Sequence, residues 1–259
     1  MKKIIFLGLL FFLAVSSLFA QEEKWQEEKS THFIIYYHNL DAEFLRQLVN
    51  KAEYYYDNIT SDLGFNRFNF WLWDERAKIY VYDDPQSYIL GTGQPVWSAG
   101  AVIPRSKVIY AFAGEEDFLN TILPHEMGHI IFREFVGFDN TAVPLWLDEG
   151  IASYQEQSRR EAANELVKDA LKEYRFIDLQ DLSGISPQVM RNTASVALFY
   201  AEAVSVINYL MQVFGRDKLV LFCQYLRDYR NLQVALARAY SFADVAGLNQ
   251  AWKDYLPKE

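Results

Sequence analysis

His125-Glu126-Met127-Gly128-His129 sets two imidazoles four residues apart, with a carboxylate beside the first. On a helix, residues four apart project from one face. Two histidines so placed can close on a single Zn²⁺. Glu126 then reaches a water on that ion from the side, where a general base is needed. The chemistry this spacing points to is zinc-dependent hydrolysis. The other two histidines, His32 and His38, lie far upstream.

A catalytic zinc keeps three protein ligands and one open position. The spacing H-E-x-x-H-x-x-G-x-x-H is excluded, because Phe132 stands at the glycine position and Phe135 at the third histidine. The remaining common ligand is a glutamate from a following helix. The segment from Pro144 to Tyr154 (PLWLDEGIASY) supplies one, Glu149, 20 residues after His129. Pro144 suits a first helical turn, and Leu145, Leu147 and Ile151 give that helix apolar residues to bury. Gly137 to Val143 is long enough to turn the chain so that the two helices face each other.

With both motifs in view, the sequence resembles the gluzincin metallopeptidases. More narrowly, it resembles the small peptidase-MA-like domains, which carry H-E-x-x-H and then W-L-x-E-G-x-A-x-Y. Trp146-Leu147-Asp148-Glu149-Gly150-Ile151-Ala152-Ser153-Tyr154 fits the second pattern residue by residue. The resemblance extends more loosely from about Thr31 to the C-terminus. It implies one Zn²⁺ per chain held by His125, His129 and Glu149, with Glu126 as general base and a peptide or protein as substrate. It also implies a tyrosine or histidine of the helical part as donor to the tetrahedral oxyanion. No histidine follows His129, so the donor must be Tyr, Arg or Lys. Tyr200 opens Y-A-E-A-V-S-V-I-N-Y-L, like the family's Y-x-x-A with a later Y-L, and is the first choice; Tyr209 is the second. In gluzincins an edge strand beside the zinc helix pairs with the substrate backbone. The small residues Gly100 and Ala101 would let a peptide approach there. The G-x-M-E-N motif with which related aminopeptidases hold a substrate amine is absent, which favours an endopeptidase. Asp148 and, more weakly, Ser153 are candidates to orient a ligating imidazole, although adjacency to Glu149 points Asp148 away from the metal face.

Two other functions use the same residues. One is a binding module that keeps the gluzincin fold and its zinc with little turnover. The other is a zinc hydrolase of a non-peptide amide, such as a cell-wall component.

The elements that must position these groups read as an α+β chain. Thr31 to His38 and Lys78 to Tyr82 are rich in β-branched and aromatic residues and read as strands. Asp41 can cap a helix running to about Leu63, with Gly64 as its stop. Asp83-Asp84-Pro85 reads as a turn. Ala101 to Ile103 and Lys107 to Phe112 read as a hairpin around Pro104-Arg105-Ser106. The first zinc helix is expected from about Glu116 to Val136, where Pro124 either kinks it or marks a new start. Everything after Pro144 reads helical apart from a loop over Asp178 to Pro187. The expected architecture is a zincin-like α/β lobe with a small mixed sheet (31–143), then an α-helical lobe carrying the third ligand (144–259).

Met1 to Ala20 reads as a secretory signal: Lys2 and Lys3 precede a short apolar run, and Ser16 to Ala20 resembles a cleavage site. Gln21 to Ser30 reads as a mobile leader. The expectation is an exported chain, periplasmic or secreted from a bacterium, with no stable membrane anchor after cleavage. The lone Cys223 excludes an internal disulfide and, in apolar helical surroundings, reads as a buried structural thiol. A formal charge of −9 is repelled by phosphate backbones, so no nucleic-acid partner is expected. With 51% hydrophobic and 16% aromatic residues, the chain can bury a sizeable core.

Overall fold

The computed structural model describes residues 24–65, 71–96, 98–114, 117–185 and 193–256. The expected signal segment and its cleavage site, together with Trp97 and Glu116, lie outside them.

Five strands form one mixed sheet in the order β1-β2-β3-β5-β4. They are β1 (Gln26–Lys29), β2 (Phe33–Tyr37), β3 (Ala77–Tyr82), β4 (Gly100–Ile103) and β5 (Val108–Phe112). β2, β3 and β5 run parallel, and β1 and β4 are antiparallel edges. Strict alternation sets the faces. Ala77, Ile79 and Val81 of β3 are buried, while Lys78, Tyr80 and Tyr82 point to the other side. The hairpin read around Pro104-Arg105-Ser106 forms as β4 and β5. One correction falls on the leader: Gln26–Lys29 is the first strand of the sheet. All four of its side chains are exposed, so backbone pairing with β2 holds it and no apolar pattern marks it.

Helix α1 (Ala42–Asp62) packs against β2 and the zinc-motif helix. The Asp41 carboxylate accepts from the amides of Glu43 and Phe44, each at 3.0 Å, and Gly64 with φ 76° follows as the stop. The turn expected at Asp83-Asp84-Pro85 instead opens helix α2 (Pro85–Thr92). Asp84 accepts from the Ser87 amide at 2.8 Å, and Pro85 sits where a missing N–H costs nothing. Turn and cap draw on the same residue types, which is why the two readings compete.

The motif helix α3 spans Leu123–Val136, after a π-helical turn over Phe118–Ile122. Pro124 falls in its first turn and marks a new start. Then come α4 (Leu145–Tyr154), α5 (Gln157–Lys172), α6 (Leu179–Gly184), α7 (Thr193–Phe214), α8 (Arg216–Tyr229), α9 (Leu232–Tyr240) and α10 (Val245–Tyr255). The short α6 occupies part of the expected loop. α7 is apolar and long enough to cross a membrane by those measures alone, but it packs on α4 and α5 as the central helix of this region.

Two motif glycines set how closely these helices approach. A Cβ on Gly128 would lie 2.8 Å from the Ala152 Cα of α4. One on Gly150 would lie 2.6 Å from the Ala203 carbonyl oxygen of α7. Any side chain at either position would push backbone from backbone. The glycine between the two histidines therefore lets α4 approach α3, and the glycine after Glu149 lets α7 approach α4. Around these contacts Met127, Ile131, Leu147, Ile151, Val206 and Ile207 form part of one continuous core.

Candidate metal centre

α3 presents His125 and His129 on one face, and α4 lays Glu149 against them. The two Nε2 atoms are 3.2 Å apart, and each is 3.6 Å from Glu149 Oε2. That oxygen is buried and makes no hydrogen bond among the described residues. A tetrahedral ion with bonds of about 2.0–2.1 Å separates its ligand atoms by roughly 3.3 Å. The three atoms thus fit one small divalent cation, and a cation resolves the orphaned carboxylate oxygen.

The opposite nitrogen of each ring is held by a carboxylate. His129 Nδ1 lies 3.0 Å from Asp148 Oδ1, and Arg133 grips the other oxygen of Asp148 through Nε at 2.7 Å. Asp148 does point away from the metal face, and that direction takes it to the back of the His129 ring. His125 Nδ1 lies 2.8 Å from Glu156 Oε1, with the Ser153 hydroxyl more distant at 3.4 Å. A ring that donates Nδ1–H to a carboxylate keeps its Nε2 lone pair for a metal.

Sequence reasoning missed Glu156. It stands at the N-terminal boundary of α5 just beyond the second motif, and its side chain is only 3% exposed. The available signal was its spacing, seven residues or two turns past Glu149. Arg133 carried a similar signal, four residues past His129 on the same helix.

The electrostatics favour positive charge at the centre. Burial opposes protonation of His129, but Asp148 and Glu149 outweigh it and lift its pKa well above the ordinary imidazole value. Burial also works on Glu149, yet the two facing imidazoles hold its carboxyl well below the usual carboxylate range. Glu126 is raised, first by burial and then by the charges of Glu149 and Glu156, against the pull of the two histidines.

His125, Glu126, Glu149, Glu156 and Tyr200 all line one cleft of about 1790 Å³, walled by the segment after α2, the π-helical turn and helices α3, α4, α5 and α7. Tyr200 faces Glu149; burial and that carboxylate's charge raise the phenol's pKa. Tyr209 is elsewhere, 4% exposed and packed against Phe214 and Tyr255 in the core. Gly100 and Ala101 lie on β4, the sheet edge on this side, but neither is among the residues lining the cleft. The open side of Gly100 is filled from the helix layer: a Cβ there would lie 2.6 Å from Ile122 Cγ2. The Gly100 carbonyl already accepts from the Ser98 hydroxyl at 2.8 Å. The small residue at 100 serves helix-to-sheet contact. Cys223 is fully buried, and burial raises its pKa, in keeping with a structural thiol.

A helix bearing H-E-x-x-H, a following helix that brings a glutamate to it, and a mixed sheet behind them define a metallopeptidase-like fold. The Peptidase MA superfamily model matches residues 74–258, and the chain belongs to that superfamily. No curated protein matches the chain.

Proposed function

We propose that this chain is an exported zinc-dependent metallopeptidase, most simply an endopeptidase, acting on peptide or protein substrates. The observation that carries the reading is the convergence of His125 Nε2, His129 Nε2 and the orphaned Glu149 Oε2. These three would hold one Zn²⁺, which when bound lowers the pKa of water and polarises a carbonyl. Glu126 takes the proton of the attacking water and returns it to the leaving amine. Burial raises its pKa, which makes the carboxylate a stronger base toward that proton. Tyr200, kept protonated by burial and by Glu149, donates a hydrogen bond to the oxyanion. Asp148 and Glu156 fix the two imidazole planes. An extended substrate would run beside β4 near Ala101, with Gly100 taking no direct part.

Purified chain with equimolar zinc is expected to cleave casein or members of a peptide library, and to stop when a chelator removes the metal. Bound zinc with no turnover on either would leave a binding module. Cleavage of cell-wall material in place of peptides would assign a different amide. We also propose export, from the basic start and short apolar run of Met1 to Ala20. N-terminal sequencing of periplasmic or extracellular protein should then begin at Gln21. Cytoplasmic protein starting at Met1 would refute it.

A further inference from the structure

The cleft's walls have an uneven chemistry. Its charged lining is acidic, with Asp117, Glu126, Glu149 and Glu156, except for one cation among the described residues, Arg159. Arg159 stands in the first turn of α5. Its Nε lies 3.1 Å from Glu156 Oε2, the oxygen not facing His125. Its guanidinium carbon sits 4.8 Å over the Tyr200 ring. The side chain is thus held from two sides, yet stays 38% exposed to the cleft. Among the described residues Glu156 is its one carboxylate partner. An oriented guanidinium that remains part-exposed can still meet a carboxylate.

Further along the same face of α5, Ala162, Ala163 and Leu166 line the cleft, facing Val196 and Ala197 of α7. Leu166 is 54% exposed, an apolar side chain left open to the cleft. It lies seven positions along the helix from Arg159, about 10 Å, which three residues of extended peptide span.

Resting on the peptidase reading, we infer that Arg159 binds a substrate carboxylate, so that the preferred substrates are peptides with a carboxylate about three residues from a large apolar side chain. The carboxylate is either an acidic side chain or the C-terminus of the peptide. The chain's net charge of −9 works against acidic ligands in general, so a preference for a carboxylate needs a local cation such as this one.

The test uses the zinc-loaded chain and four peptides. One apolar octapeptide carries a single glutamate, and its twin carries glutamine. A second has a free C-terminus, and its twin is amidated. Binding is read by calorimetry in the Glu126→Gln background, so that the peptides stay intact, and kcat/KM is read on the parent. At least one charged member is expected to bind about 10- to 100-fold more tightly than its neutral twin, the range of a charge-assisted hydrogen bond. Arg159→Gln should abolish that ratio, and Arg159→Lys should restore part of it. The pair that responds tells side chain from C-terminus.

Equal binding within both pairs overturns the inference, as does a ratio that survives in Arg159→Gln or no binding of any peptide. It is also overturned if Arg159→Gln lowers zinc affinity and weakens all four peptides alike. Arg159 would then serve only to hold Glu156. A carboxylate preference in binding with no hydrolysis by the parent would sink the peptidase reading and leave this inference standing. Hydrolysis without preference would do the reverse.

Discussion

Glu126→Gln is expected to bind zinc as tightly as the parent chain and to lose peptidase activity by about 10²–10⁴-fold, the usual contribution of a general base. Glutamine keeps the size and shape of the side chain, so the wall of the cleft is preserved. It cannot accept a proton from the attacking water. The three atoms that converge to fit a cation belong to His125, His129 and Glu149, and Glu126 contributes none of them. Its pKa is raised by burial and by the Glu149 and Glu156 charges. The measurement is zinc titration alongside turnover on the same preparation. Parental activity in Glu126→Gln would overturn the proposed chemistry even with zinc in place. Loss of zinc in this variant would assign Glu126 a structural part and leave the water without its base.

Glu149→Gln is expected to lose both metal and activity, and His129→Ala likewise. Glu149 Oε2 is buried, lacks any hydrogen bond among the described residues and lies 3.6 Å from each imidazole Nε2, where a shared cation would meet it. An amide there offers a neutral and weaker oxygen ligand. Losing a partner one step further out typically lowers metal affinity by 10–100-fold. Losing the ligand itself should exceed that. Metal analysis of the purified variants against the parent is the check. Equal zinc content in parent, Glu149→Gln and His129→Ala would overturn the ligand assignment. The contrast between the two glutamates is the sharper result: zinc kept at 126 and lost at 149, with activity absent in both.

Much of the fold was legible because its signals are local. Runs of β-branched and aromatic residues marked β2 and β3, and a capping aspartate with a following glycine bounded α1 nearly to the residue. Three elements escaped. β1 has no apolar side chain to bury and exists through its pairing with β2. α2 hides behind an Asp-Pro pair that serves turns and helix starts alike. α6 is a short helix whose stability comes from contacts with α4 and α10, including the Trp146 indole donating to Ser183 at 2.9 Å. Its own propensity contributes little.

The sequence by itself determined which side chains can meet on one helix. A four-residue spacing places His125 beside His129 in any α-helix, because the backbone repeat is the same everywhere. It also marked Glu149 as a partner across a short connection. The tertiary structure alone decided what stands behind and around them. Asp148 with Arg133 at the back of His129, Glu156 at His125, and Arg159 over Tyr200 depend on the distances between helices, not on positions along one. Those distances are set where backbones touch, at Gly128 against Ala152 and Gly150 against Ala203. Contact of that kind depends on the shapes of two surfaces at once. No single stretch of sequence encodes it: a family-like pattern ranked Tyr200 ahead of Tyr209, but packing is what sets one in the cleft and the other in the core.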